Sequence, residues 1–165
     1  MNLKILRTED PELVARLNHD VQNLHYEIEP ELFKPFLQEG MSSMFAKMLE
    51  DPAMSAYVAY VDETPAAYMV IGQRVFEENP FRYGYSVLHI DQICVDSEFK
   101  GQGIGKALVD FAKQLARENH ISRIEMNYWT KNNNSGEYIE AKVSQISTNG
   151  YFTPLIDGRT TCMHP

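Results

Sequence analysis

The stretch "VDSEFKGQGIGKALVDFAKQLA", residues 95 to 116, sets three glycines at 101, 103 and 105 between a strand-like run and a strongly amphipathic helix pattern. A helix start offers unpaired backbone N–H groups and the positive end of the helix dipole, and glycines there let an anion come close. A phosphate is the natural guest. The spacing then selects among phosphates. The pattern G-x-x-x-x-G-K-[ST] fails, because counting back from Gly105-Lys106 lands on Lys100, and Ala107 stands where a hydroxyl residue is needed. The dinucleotide pattern G-x-G-x-x-G fails as well, since Lys106 falls at the third glycine position.

These residues need elements to hold them. Leu3 to Leu6 read as a first strand, Thr8 or Asp10 as a cap with Pro11 suited to the first helical turn, and Leu13, Val14, Leu17, Val21 and Leu24 keep helical spacing. Residues 38 to 50 form a second helix candidate, and residues 55 to 76 read as two strands around a turn at Asp62 to Pro65. In the next strand, about 86 to 95, Leu88 and Ile90 share one face by alternation while Ile93 and Val95 have the opposite parity. An extra residue near Asp91 and Gln92 would put both pairs on one face, which predicts a β-bulge. Ile104, Ala107, Leu108, Phe111, Ala112 and Leu115 then make a helical stripe, followed by a strand in which Ile124, Met126 and Tyr128 alternate. Strand, glycine turn, helix and strand form a βαβ unit with two parallel strands. The expected fold is α/β (α+β): a mixed, mostly antiparallel sheet with a central parallel pair and flanking helices.

At 165 residues the chain suits one domain, read as 1–165, and neither a linker nor a repeat interrupts it. The N-terminus lacks the apolar region of a secretory signal, no apolar run is long enough to span a membrane, and Cys94 and Cys162 do not make a disulfide framework. A cytoplasmic location is expected, with both thiols inert. A net charge of -8 opposes nucleic acid and is compatible with a cationic substrate. No histidine pairing has metal-ligand spacing, and His19, His120 and His164 read as solvated surface.

Lys100-Gly101-Gln102-Gly103-Ile104-Gly105 fits the signature [QR]-x-x-G-x-[GA], with Lys in place of the usual Gln or Arg. With "HIDQICVDSEFKGQGIGKALVDFAKQLA" and the order of elements from residue 3 to about 137, it resembles the GNAT superfamily of N-acetyltransferases. The resemblance implies acetyl-CoA as cofactor. Its pyrophosphate would lie on the loop Lys100, Gly101, Gln102, Gly103, Ile104, Gly105 and Lys106, its pantetheine along Ile93, Cys94 and Val95, with Asn134 beside it. The bulge would splay its strand so that the cofactor pairs with free backbone, and the Val95 N–H would polarise the thioester carbonyl. An amine with a pKa near 10.4 needs a base at neutral pH. Asp91, where several relatives carry Glu, is the first choice, acting through a water; the alternative is that it only satisfies bulge N–H groups. His25, Tyr26, Phe33, Tyr128 and Trp129 would line the acceptor site, or serve as packing.

The likeness breaks after "WTKNNNSGE". Relatives end in F-Y-x-x-x-G-F, whose Tyr often protonates the departing thiolate; counting back from Gly150, Ile146 occupies that place, and Tyr138 is a candidate substitute. Codons permitted for Tyr138 to Phe152, read from the last base of the Tyr138 codon, include the translation Y-R-S-Q-G-F-S-N-F-N-E-W-L-F. A frameshift near 138 would account for the missing ending and would make 139–165 a non-native tail, although codon freedom makes that string selectable and not forced. The expected function is acetyl transfer from acetyl-CoA to a primary amine of a small molecule or peptide, with no nucleic acid or membrane partner. A homodimer would fit the habit of look-alikes. The rivals are a catalytically impaired acyl-CoA-binding protein and a nucleotide-binding module.

Overall fold

The computed structural model describes the backbone of residues 2–121, 123–129, 151–156 and 159–160, with side chains up to residue 126. Strand β1 is Leu3–Thr8, helix α1 Pro11–Ile28, helix α2 Gln38–Leu49, β2 Met54–Val61, β3 Thr64–Phe76 and β4 Tyr85–Val95. A short 3-10 turn at Ser97–Phe99 leads to helix α3, Ile104–Glu118, then β5 Arg123–Trp129, β6 Tyr151–Ile156 and β7 Arg159–Thr160. The strands form one sheet in chain order.

Local chemistry explains the boundaries. Asp10 caps α1, its carboxylate accepting from the N–H groups of Glu12 at 3.0 Å and Leu13 at 3.1 Å, with Pro11 in the first turn. The β2–β3 turn bends through Asp62 and Glu63, both at positive φ (46° and 69°), a conformation suited to a tight hairpin. Strands β1 to β4 pair antiparallel, β4 pairs parallel with β5, and β5 pairs parallel with β6.

The helices cover opposite faces. On one, α3 buries Ile104, Leu108, Ala112 and Ala116 against Ala59, Ala67, Met69, Ile71, Leu88 and Ile90. On the other, Val14, Ala15 and Leu17 of α1 and Phe45 of α2 pack on Ala56, Val58, Tyr68 and Val70. At roughly 1.5–3 kcal/mol for each buried large apolar side chain, these two layers supply the force that holds β4 between its neighbours. No described helix is long and apolar enough to cross a membrane.

Candidate active site

The irregularity expected in β4 is present, and it falls at Asp91. Val70 of β3 lies opposite Gln92, while the next residue, Ile71, lies opposite Ile90, so Asp91 is the extra residue. Leu88, Ile90, Ile93 and Val95 consequently all join the α3-side core, the last two partly buried. The parity conflict in the sequence is resolved by one inserted residue.

The bulge also ends a ladder. Among the described residues, β4 and β5 pair from Val87 opposite Arg123 to Ile90 opposite Met126 and no further, although both strands continue. Beyond Asp91, β4 pairs with β3 and, among the described residues, with no other strand. The Asp96 N–H donates to the Ala66 carbonyl at 2.9 Å, toward β3. By the alternation of a strand, the backbone groups of Val95 and Ile93 point the other way, into the space where β5 has parted from β4.

The glycine loop closes one end of that space. Lys100 is extended, Gly101 has φ 77°, and Gly103, at φ 82°, is the left-handed N-cap of α3 with no side-chain capping bond. A Cβ on Gly101 or Gly103 would meet nothing within 4 Å, so backbone conformation and not crowding calls for glycine at both. A Cβ on Gly105 would sit 3.5 Å from Val95 Cγ2, an ordinary contact that also shows how closely α3 begins against the end of β4. The first bond of the helix runs from the Ala107 N–H to the Gly103 carbonyl at 3.0 Å. The N–H groups of Ile104 and Gly105 thus stand ahead of the ladder, where an anion binds a helix. Buried Ile104 anchors this turn in the core. Exposed Lys100 adds a positive charge beside it, whereas the Lys106 ammonium is engaged by Asp110 at 2.6 Å. Gln102 reaches back to the Glu98 carbonyl at 3.5 Å.

Cys94 is half-buried on the opposite face of β4, and burial pushes its thiol up to about 11. Such a thiol is a poor nucleophile, as expected for an inert cysteine. The Asp91 carboxylate is partly exposed, and Nε2 of His89 lies 4.0 Å away. His89 is only 4% exposed, its Nδ1 has no hydrogen-bond partner among the described residues, and burial holds its pKa below the ordinary histidine value. The charge of Arg74 pushes the same way, against a smaller opposite pull from Asp91.

Of the expected acceptor residues, His25 and Phe33 stack with ring centroids 4.8 Å apart, and Tyr26 is exposed. Burial lowers the pKa of His25. Tyr128 and Trp129 lie on β5, opposite Pro154 and Leu155 of β6. Asn134, Tyr138, Ile146, Cys162 and His164 lie outside the described residues. A separate cavity of about 340 Å³ is lined by Arg16, Leu17, His19, Asp20, Phe36, Gln38 and Asp96, none of them in the expected site. His19 there is exposed, as expected, and pairs with Asp20 at 3.0 Å.

Sequence reasoning missed a buried polar group behind the bulge. Asn18 Nδ2 of α1 donates to the Tyr68 hydroxyl of β3 at 2.6 Å, and that hydroxyl donates to Gln92 Oε1 of β4 at 2.9 Å. Asn18 Nδ2 is also 3.4 Å from Gln92 Oε1. The available signal was Asn18 itself, a polar residue one helical turn after Val14 on the apolar stripe.

A mixed sheet whose parallel strands β4 and β5 separate beside a glycine-started helix is the architecture of the GNAT fold. The acetyltransferase (GNAT) family model matches residues 20–139, and the chain belongs to that family. Among characterised relatives, it is 27% identical over 119 residues to a thialysine N-epsilon-acetyltransferase of Caenorhabditis elegans, covering 68% of each chain. Its fold is similar to that of a tetramutant of the BH1408 protein from Bacillus halodurans, with TM-score 0.75 and 20% identity over 100% of this chain and 99% of that one. It is also similar to a ribosomal-protein-alanine N-acetyltransferase from Brucella melitensis biovar Abortus 2308, with TM-score 0.63 and 18% identity over 99% of both chains.

Proposed function

We propose that this protein transfers an acetyl group from acetyl-CoA to a primary amine of a small molecule or peptide, by direct attack in a ternary complex. One observation carries the reading: the backbone of Ile93 and Val95, which has no β5 partner among the described residues past the bulge at Asp91, ends beside the first turn of α3. The residues present suit the cofactor. A diphosphate fits Gly101 to Gly105 with Lys100 beside it, and a pantetheine arm, which carries amides of its own, fits the unpaired edge of β4. The curated relative's activity, acetylation of an amine, agrees with this class of reaction.

In this reading Asp91 removes the proton from the incoming ammonium, through a water, and the amine nitrogen attacks the thioester carbon. The Val95 N–H donates to the carbonyl oxygen as negative charge builds there. As the C–S bond breaks, the attacking nitrogen gives up its second proton and the leaving sulfur gains one, so that an amide and a free thiol result. His25, Tyr26 and Phe33, with Tyr128 and Trp129, form the acceptor side, and Asn134 supports the cofactor.

A second reading, an acyl-CoA binder with impaired turnover, is favoured by the tail. Ile146 stands at the place of the acid tyrosine, and the family match stops at 139, one residue past the inferred frameshift. In either reading 1–165 acts as one domain whose last part, 139–165, derives from a shifted frame. A chromogenic assay of CoA release with a panel of amines separates the two. Amine-dependent release supports the enzyme, and tight CoA binding by calorimetry without release supports the binder. Failure to bind CoA, with binding of ATP or NAD instead, overturns both. Codons at 138 to 152 that cannot spell Y-x-x-x-G-F in the shifted frame refute the frameshift.

A further inference from the structure

In the bulge, Asp91 and Gln92 of β4 together face the single residue Val70 of β3. Apolar anchors flank them, with Ile90 opposite Ile71 and Ile93 opposite Met69. Exchanging which of the two polar residues is the extra one would move neither isoleucine. Hydrophobic burial therefore does not choose between them.

The choice falls to hydrogen bonds. With Asp91 as the extra residue, Gln92 is the paired one, and its side chain turns toward α1, where its carbonyl oxygen accepts from Tyr68 at 2.9 Å and faces Asn18 at 3.4 Å. Tyr68 has no exposed surface and Asn18 only 4%. Burial drives the Tyr68 hydroxyl far above its ordinary pKa, so it remains a donor. With Gln92 as the extra residue, the carboxylate of Asp91 would replace that amide, and the buried Tyr68 hydroxyl would lose its acceptor or bring a charge into the core. Leaving a buried group unpaired, or burying a charge, is costly.

We propose that Asn18, Tyr68 and Gln92 form a clamp that selects Asp91 as the bulge residue, and so positions both the carboxylate and the free amides that follow it. All three are positioning residues, and their catalytic consequence rests on the acetyl-transfer reading above.

The test uses the full chain carrying Tyr68→Phe, Gln92→Met or both. Loss of the clamp lowers kcat on the order of tenfold, with KM for acetyl-CoA within about twofold, because one such bond shifts a local equilibrium by roughly that factor. The double variant should be no worse than the poorer single one, since the two side chains act as a unit. In isotope-labelled protein, the amide resonances of Asp91 and Gln92 should shift or double in each variant. A fall in melting temperature with kcat and those resonances unchanged would reduce the clamp to a structural bond and overturn the proposal. Should the unaltered chain release no CoA with any amine, the acetyl-transfer reading fails, and the resonances decide the clamp alone: an unshifted single set in Tyr68→Phe overturns it. If Gln92→Met does not fold, Tyr68→Phe carries the same test, because it removes one oxygen and keeps the ring.

Discussion

At one end of the cleft, the loop from Lys100 to Gly105 takes its shape from its own residues; at the other, Asp91 stands where it does because α1, β3 and β4 agree on it. Gly101 and Gly103 reach left-handed backbone with open space around them. By contrast, the group behind Asp91 joins residues 74 positions apart. A phosphate asks only for amides pointing one way, which a short run of chain can supply. A base must hold a carboxylate within a fraction of an ångström of its target, and that takes packing from several directions.

The largest expected effect tests the carboxylate end. Asp91→Asn should lower kcat by about 10²-fold or more, the usual contribution of a general base, while calorimetry finds CoA affinity within about twofold of normal. Equal kcat would leave Asp91 as a bulge residue only. At the loop end, Gly103→Ala forces an L-residue into left-handed backbone at a cost of about 1–2 kcal/mol, so CoA should bind about tenfold more weakly. Gly105→Ala, whose added Cβ meets Val95 at an ordinary 3.5 Å, should leave CoA binding within about twofold. Equal losses in the two variants would mean that space, not conformation, governs the loop.

The smallest effect concerns stability. The folded pKa of His89, and that of His25, lies below the unfolded value, so the unfolded chain binds more protons as pH falls. Their neutral burial is therefore without penalty above the unfolded pKa of about 6.5 and destabilises progressively as pH drops below it. Urea unfolding at about pH 7.5 and about pH 5.5 should show this loss, and His89→Gln should flatten it, because an uncharged amide has no proton to gain.

Much of the framework was legible because its signals are periodic or local. The stripe from Ile104 to Leu115 became α3, Asp10 and Pro11 started α1, and the parity conflict between Ile90 and Ile93 became the bulge. Asn18, Tyr68 and Gln92 were not legible as a group. Each alone has an ordinary surface or packing reading, and only the docking of α1 on the sheet brings them together. The same holds for His89, whose alternation in β4 gives a face but not that its buried Nδ1 has no hydrogen-bond partner among the described residues.

By itself the sequence determined the glycine loop, the amphipathic helix behind it and the presence of one surplus residue in β4, since each depends on conformational preference or apolar period within a short window. Which residue is surplus, where β5 leaves β4 and what stands behind the carboxylate were decided only in the tertiary structure. Those outcomes depend on hydrogen bonds between segments far apart in the chain, and such bonds exist only after the apolar layers have brought the segments into contact.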